Sequence, residues 1–193
     1  MEIEVNIGVS NRHIHLNQET YDLLFDEPIN ILRPLHQVGE YVSDKTVTLI
    51  NAGHKIENVK LLGPLRAYNQ VEISHNDALK FKLNPPVRRS GDLENSEYII
   101  IRTEKAMIRV QGCIIAERHV HMTPDQARRM GISDGQSLKV RFNGLKKGEI
   151  EAFAKVSDNG YFEVHVDTDD ANAFILNNDD KGTLIVWVLI SGE

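Results

Sequence analysis

Short runs in which Val and Ile recur, or in which apolar and polar residues alternate, occupy residues 3–9 (IEVNIGV), 46–50 (TVTLI), 58–62, 97–102 (EYIIIR), 107–115, 137–142 (SLKVRF), 149–156, 161–166 and 183–190. A period of two is the mark of a strand with one face in a core, and Gly, Asn or Asp bounds most of these runs. Helical signals are fewer. Thr123-Pro124-Asp125 ahead of QARRM predicts an N-cap, a Pro in the first turn and a helix that stops before Gly131; Asn17 to Phe25 predicts an earlier counterpart. The balance predicts a mainly β protein built of two small barrels with short helices.

The pattern repeats. Arg12-His13-Ile14-His15-Leu16-Asn17 matches Arg118-His119-Val120-His121-Met122-Thr123, and each copy runs into a helical segment. Further along, VEISHNDA from Val71 matches VHVDTDDA from Val164, which sets Glu72 opposite His165. Two blocks in the same order predict an internal duplication with a pseudo-twofold arrangement. The stretch from Leu83 to Ser96 gathers Pro, Gly and charge between strand-like runs. It predicts a boundary near residue 90, dividing the chain into domains 1–90 and 91–193. Because this stretch is not a bland tether, Arg88, Arg89, Ser90 and Asp92 are also candidates to line a site.

Composition narrows the classes. A chain of 193 residues, 41% hydrophobic, can bury a core without staples. The formal charge of −6 argues against a nucleic-acid partner that needs a broad basic surface, so an anionic substrate requires a local cationic pocket. The single cysteine, Cys113, permits no intrachain disulfide and fits a reducing cytoplasm; in its apolar strand it reads as a structural thiol. No apolar run is long enough to span a membrane, and the first residues do not read as a secretion signal. Phosphate-binding Gly loops, Cys-x-x-Cys and nucleophile-elbow patterns are absent from the sequence.

The paired histidines carry the chemistry. In a strand, residues i and i+2 share a face and stand roughly 7 Å apart, so His-x-His offers two imidazoles to one ion. His13 and His15 would serve one ion, and His119 and His121 another. Imidazole suits zinc and other borderline ions, held by three protein ligands with a position left open when the site is catalytic. Glu72 and His165 complete six candidate ligands, and the spacing leaves open which ion Glu72 serves. His36, His54 and His75 stand alone and read as ordinary histidines. Arg66, six positions before Glu72, has the planar fork that binds phosphate. Arg12 and Arg118, each beside a ligand, could simply orient nearby carboxylates. A two-metal hydrolase and a metal-stapled binding module are the competing readings of these residues.

Taken in order, GVSNRHIHL, GPLRAYNQVEIS, PVRRSGD, RHVHMTP and VHVDTDDANA resemble the PduL-type phosphate acyltransferases, the phosphate propanoyltransferase family, from about residue 5 to residue 190. The resemblance implies two β-barrel domains, two zinc ions per chain, and reversible acyl transfer between acyl-CoA and phosphate to give acyl phosphate and CoA. It implies His13, His15 and Glu72 as ligands of one zinc, His119, His121 and His165 as ligands of the other, and Arg66 as the essential phosphate-binding residue. Ser10, Asn11, Arg12 and Asn172 resemble parts of the CoA site; Arg33, Lys60 and Leu62 are further CoA candidates whose alignment depends on loops. The chain departs from the family at Asn69, usually Thr, and in LRPLHQVGEY, where Pro-Gly-Gln-Phe is commoner. These departures bear on substrate preference. Family members targeted to bacterial microcompartments carry an N-terminal amphipathic extension; here the first motif begins by residue 8, which favours a free cytoplasmic enzyme, with homo-oligomerisation left open.

Overall fold

The computed structural model describes residues 1–186. The elements of the first part are β1 (Glu2–Ser10), β2 (His13–His15), α1 (Gln18–Leu24), β3 (Ile31–Pro34), β4 (Tyr41–Asn51), β5 (His54–Gly63), β6 (Gln70–Glu72), α2 (His75–Phe81), β7 (Val87–Arg88) and β8 (Glu97–Arg102). Then come β9 (Met107–Ala116), β10 (His119–Met122), α3 (Pro124–Met130), β11 (Ser137–Phe142), β12 (Gly148–Val156), β13 (Glu163–Asp167), α4 (Thr168–Phe174) and β14 (Lys181–Ile185). The run expected over 183–190 is β14; its remainder from residue 187 lies outside the described residues. No helix among the described residues is long and apolar enough to cross a membrane.

Two closed six-stranded barrels result. One runs β1-β13-β10-β12-β11-β14 and back to β1. The other closes through the pairs β4·β5, β5·β2, β2·β6, β6·β9, β9·β8 and β8·β4, with β3 and β7 added at the side. The circuits correspond strand for strand. β2 lies parallel to β5 and antiparallel to β6, as β10 lies parallel to β12 and antiparallel to β13. In the same way β6 runs parallel to β9, and β13 parallel to β1. The duplication expected from short sequence matches therefore extends to the whole topology.

Each barrel is filled by its own apolar residues. Val5, Ile7, Val120, Met122, Val140, Phe142, Val164 and Leu184 fill one, and Ile14, Leu16, Leu49, Leu61, Val71, Phe81, Ile99 and Ile101 the other. Burial of such a side chain stabilises by about 1.5–3 kcal/mol, so these strands need no staple. Cys113 belongs to the second core, fully buried, as expected of a structural thiol. The helices begin where expected. Asn17 Oδ1 accepts from Thr20 N at 2.8 Å, and Thr123 forms a capping box with Gln126 before α3 ends at left-handed Gly131. The helices α2 and α4 were not expected: each has only seven residues and sits directly behind a strand, capped by Ser74 and Asp167.

The expected boundary near residue 90 does not coincide with the division seen. One compact unit comprises Met1–Ser10 with the chain from Glu117 onward, and the other Asn11–Ala116. The reason is an exchange of strands. The first strand of the first copy, β1, closes the barrel of the second copy, and the first strand of the second copy, β9, closes the barrel of the first. The Pro/Gly-rich stretch after α2 is punctuation inside a unit, since β7 within it pairs with β9. A fragment of residues 11–116 should unfold cooperatively by circular dichroism, because it holds all six strands of its barrel. A fragment of residues 1–90, lacking β8 and β9, should show no cooperative transition.

Candidate functional site

Alternation on β2 puts Ile14 in the core, fully buried, and turns His13 and His15 to the opposite face. Across the antiparallel pair, His13 faces Glu72 and His15 faces Gln70, while Val71 joins Ile14 in the core. His13 Nε2 lies 3.3 Å from Glu72 Oε2, and candidate ligand atoms of His13, His15 and Glu72 lie within 4.8 Å of one another. The other ring nitrogens are committed. His13 Nδ1 donates to the Asn11 carbonyl at 2.8 Å and His15 Nδ1 to the Leu62 carbonyl at 3.2 Å. A carbonyl only accepts, so Nδ1 carries a proton; in a neutral ring this leaves Nε2 with its lone pair, and in His13 a second proton on Nε2 would face Glu72. Burial, helped by the charges of His13 and Arg66, pushes the His15 imidazole down to about 3, so it stays neutral at working pH. His13 is different: burial pulls its pKa down, but the charge and hydrogen bond of Glu72 outweigh that and raise it above the ordinary value.

Arg66 stands between β5 and β6, where its backbone N–H donates to Leu16 O at 2.9 Å. Its Nη1 donates to Tyr68 Oη at 3.0 Å and to Ser90 Oγ at 3.2 Å, and its Nη2 pairs with Glu40 Oε1 at 2.8 Å. Gln70 Nε2 donates both to Ser90 Oγ at 2.8 Å and to Glu72 Oε1 at 2.6 Å, and Gly91 N donates to Gln70 Oε1 at 2.8 Å. A continuous polar chain therefore runs from the guanidinium through Ser90 and Gln70 to Glu72 and His13. Arg66 is thus coupled to the first cluster.

The second barrel repeats the arrangement with one exchange of residue types. His119 faces His165 and His121 faces Glu163 across β10 and β13, so Glu163 stands where the first barrel has Gln70. His119 Nδ1 donates to Glu117 O at 2.7 Å, His119 and His121 bring their Nε2 atoms to 3.1 Å, and the three histidines form a second group able to hold an ion. His165 Nε2 lies 2.7 Å from Tyr161 Oη and 3.0 Å from Glu163 Oε1. Gly8 faces His165 from β1, and a Cβ there would lie 2.7 Å from His165 Cδ2 and closer still to Glu163. Only Gly leaves room for both side chains.

Arg12 and Arg118 each pair with the matching helix residue, Asp77 and Asp170. The pairs differ in weight. Asp77 is 1% exposed, and breaking a buried pair costs about 3–5 kcal/mol, an upper figure here because Lys80 Nζ also reaches Asp77 at 3.3 Å. Arg118 is 42% exposed, where a pair contributes no more than about 1 kcal/mol. Of the CoA candidates, Asn11 and Leu62 supply the carbonyls behind His13 and His15, and Lys60 is the strand neighbour of His13. Arg33 is exposed on β3. Ser10, paired with Asp167 at the end of β1, and exposed Asn172 in α4 belong to the other unit. His36, His54 and His75 are exposed and outside both clusters. Sequence reasoning missed Glu40, Tyr68 and Gln70 around Arg66, and Tyr161, Glu163 and Gly8 around His165. Of these, Gln70 and Glu163 carried a signal, each lying two residues before a candidate ligand on a strand.

The comparison with known proteins agrees with this geometry. The phosphate propanoyltransferase family profile matches residues 6–177, across both copies of the repeat. The phosphate propanoyltransferase of Thermotoga maritima is 41% identical over 179 residues, 90% of this chain and 85% of that protein. That of Shewanella putrefaciens is 39% identical over 173 residues, 88% of this chain and 82% of that protein. That of Salmonella typhimurium is 40% identical over 173 residues, with the same two shares, 88% and 82%. Duplicated barrels with paired histidine clusters, in a chain with these relatives, thus define an enzyme of the phosphate acyltransferase type. The chain belongs to the phosphate propanoyltransferase family.

The crowding at Gly8 gives a selective test. Gly8→Val should displace His165 and lower the capacity of the cluster of His119, His121 and His165 for added zinc, as read by elemental analysis after incubation with the ion. The capacity of the cluster of His13, His15 and Glu72 should not change.

Proposed function

We propose that this enzyme moves an acetyl or propanoyl group reversibly between coenzyme A and inorganic phosphate, with a zinc ion held by His13, His15 and Glu72 and a second by His119, His121 and His165. The observation that carries the reading is the polar chain joining Arg66 to Glu72 and His13, which puts an anion-binding fork beside a ligand cluster. The donor sets fit the ion: each cluster brings three candidate ligand atoms within 4.8 Å of one another, with Nδ1 of His13, His15 and His119 tied to carbonyls. A bound zinc ion supplies Lewis acidity toward a carbonyl oxygen or a departing thiolate.

The chain's own residues bind and orient. Arg66 takes phosphate, assisted by the Tyr68 and Ser90 hydroxyls on its Nη1 edge. Gln70 fixes Ser90 relative to Glu72. A phosphate oxygen then attacks the thioester carbonyl, the new O–C bond forms, the C–S bond breaks, and CoA leaves as the thiolate. Among the described residues, no side chain is placed to intervene covalently. Burial, reinforced by Glu97, pushes the Cys113 thiol up to about 12, and Ser90 Oγ is approached by two donors and no base. Holding both reactants in attack geometry supplies most of the rate advantage. Asn11, Arg12, Lys60 and Leu62 near the first cluster, with Arg33 of the same unit, are proposed CoA contacts; Ser10 and Asn172, which belong to the other unit, are proposed separately. No observation favours hydrolysis. The reading places the enzyme in the cytoplasm, where a single reduced, buried cysteine is at home.

Free thiol released from acetyl-CoA by the metal-replete protein should depend on inorganic phosphate, with acyl phosphate accumulating in proportion. Arg66→Ala should lower that turnover on the order of a hundredfold or more while bound zinc is retained. Release of thiol indifferent to phosphate would replace the transferase reading with a thioester hydrolase.

A further inference from the structure

The fork of Arg66 is already occupied on one side. Its Nη2 carries the Glu40 carboxylate at 2.8 Å, and both side chains are 20% exposed, so the pair is screened less than one on the open surface. The two edges of the guanidinium are not equivalent. The Nη1 edge meets the hydroxyls of Tyr68 and Ser90, which are neutral and can turn their protons toward an incoming anion. The Nη2 edge meets a group that only accepts and, when ionised, repels an anion. A phosphate taking the guanidinium bidentately needs two N–H groups and meets a like charge at one of them. Glu40 ends the turn between β3 and β4, where its N–H donates to Gln37 O at 3.1 Å and its carbonyl accepts from Leu35 N at 2.9 Å. These bonds fix the backbone, so release of Arg66 requires only rotation of the Glu40 side chain.

We infer that Glu40 is an internal stand-in for phosphate on Arg66: phosphate binds by exchange with this carboxylate, and Glu40 thereby sets the phosphate affinity of the enzyme. The inference rests on the reading of Arg66 as the phosphate-binding residue. Glu40 is a specificity-determining residue in this account, and it takes no part in the bond changes. Removing its charge removes the competitor and leaves the hydroxyl edge of the fork untouched.

The test measures the KM for inorganic phosphate and the KM for acetyl-CoA separately in the metal-replete wild type, Glu40→Gln and Glu40→Ala. Glu40→Gln should lower the phosphate KM on the order of tenfold, with Glu40→Ala in the same direction, while the KM for acetyl-CoA and bound zinc stay unchanged. A second readout is independent of turnover: at a fixed subsaturating phosphate concentration, the rise in Tm on adding phosphate should be larger in both variants than in the wild type. A phosphate KM that is unchanged or raised in both variants overturns the inference, since Glu40 would then be idle or would be holding Arg66 in its productive orientation. Arg66→Ala separates the two layers. If that variant still saturates normally with phosphate, the assignment of Arg66 fails; if it loses saturation while the Glu40 variants keep the wild-type KM, only the role of Glu40 fails.

Discussion

The alternation of a β-strand is the constraint on which the rest of this molecule depends. At β2 and β10 a single apolar residue, Ile14 or Val120, is driven into a barrel core, and the histidines on either side of it must face the other way. Neighbouring strands obey the same rule, so Val71 and Val164 go inward while Glu72 and His165 come into register with the histidines. The candidate ligand clusters are thus a by-product of hydrophobic burial. Side-chain packing in the core sets the positions of the polar groups, and hydrogen bonds to the carbonyls of Asn11, Leu62 and Glu117 then orient the rings.

The two clusters solve one electrostatic problem in two ways. In the first barrel the carboxylate, Glu72, faces His13, and the neutral Gln70 stands two residues before it. In the second the histidine His165 takes the facing position, and the carboxylate has moved to Glu163. Each barrel keeps one acid on that stretch of strand, opposite the first histidine of the pair, His13, in one and opposite the second, His121, in the other. The halves have thus diverged in the residues facing their histidines, and Arg66 is joined through Ser90 and Gln70 to the cluster of the first.

Much of this was legible in the sequence because it is local. Period-two runs marked the strands, Thr123-Pro124 and Asn17 marked the helix starts, and the second matched block of the repeat set Glu72 and His165 in equivalent positions. What was not legible is long-range. The strand-like run at residues 3–9 gives no hint that its partners are β13 and β14, more than 150 residues away, so a composition-based boundary near residue 90 was the natural and mistaken division. Likewise, Glu40 reaches Arg66 across 26 residues through a turn with no motif of its own. The necessity of Gly8 is visible only once its strand lies against His165.

The exchange of β1 and β9 has a historical consequence. A half-length chain carrying one copy of the repeat would possess five strands of its own barrel and a sixth with nowhere to close. Two such chains could fold only by lending each other their first strands, as an obligate pair whose stability fell with dilution. Joining two such copies end to end makes that loan internal, at fixed effective concentration, so that the two halves can differ in the residues set opposite their histidines.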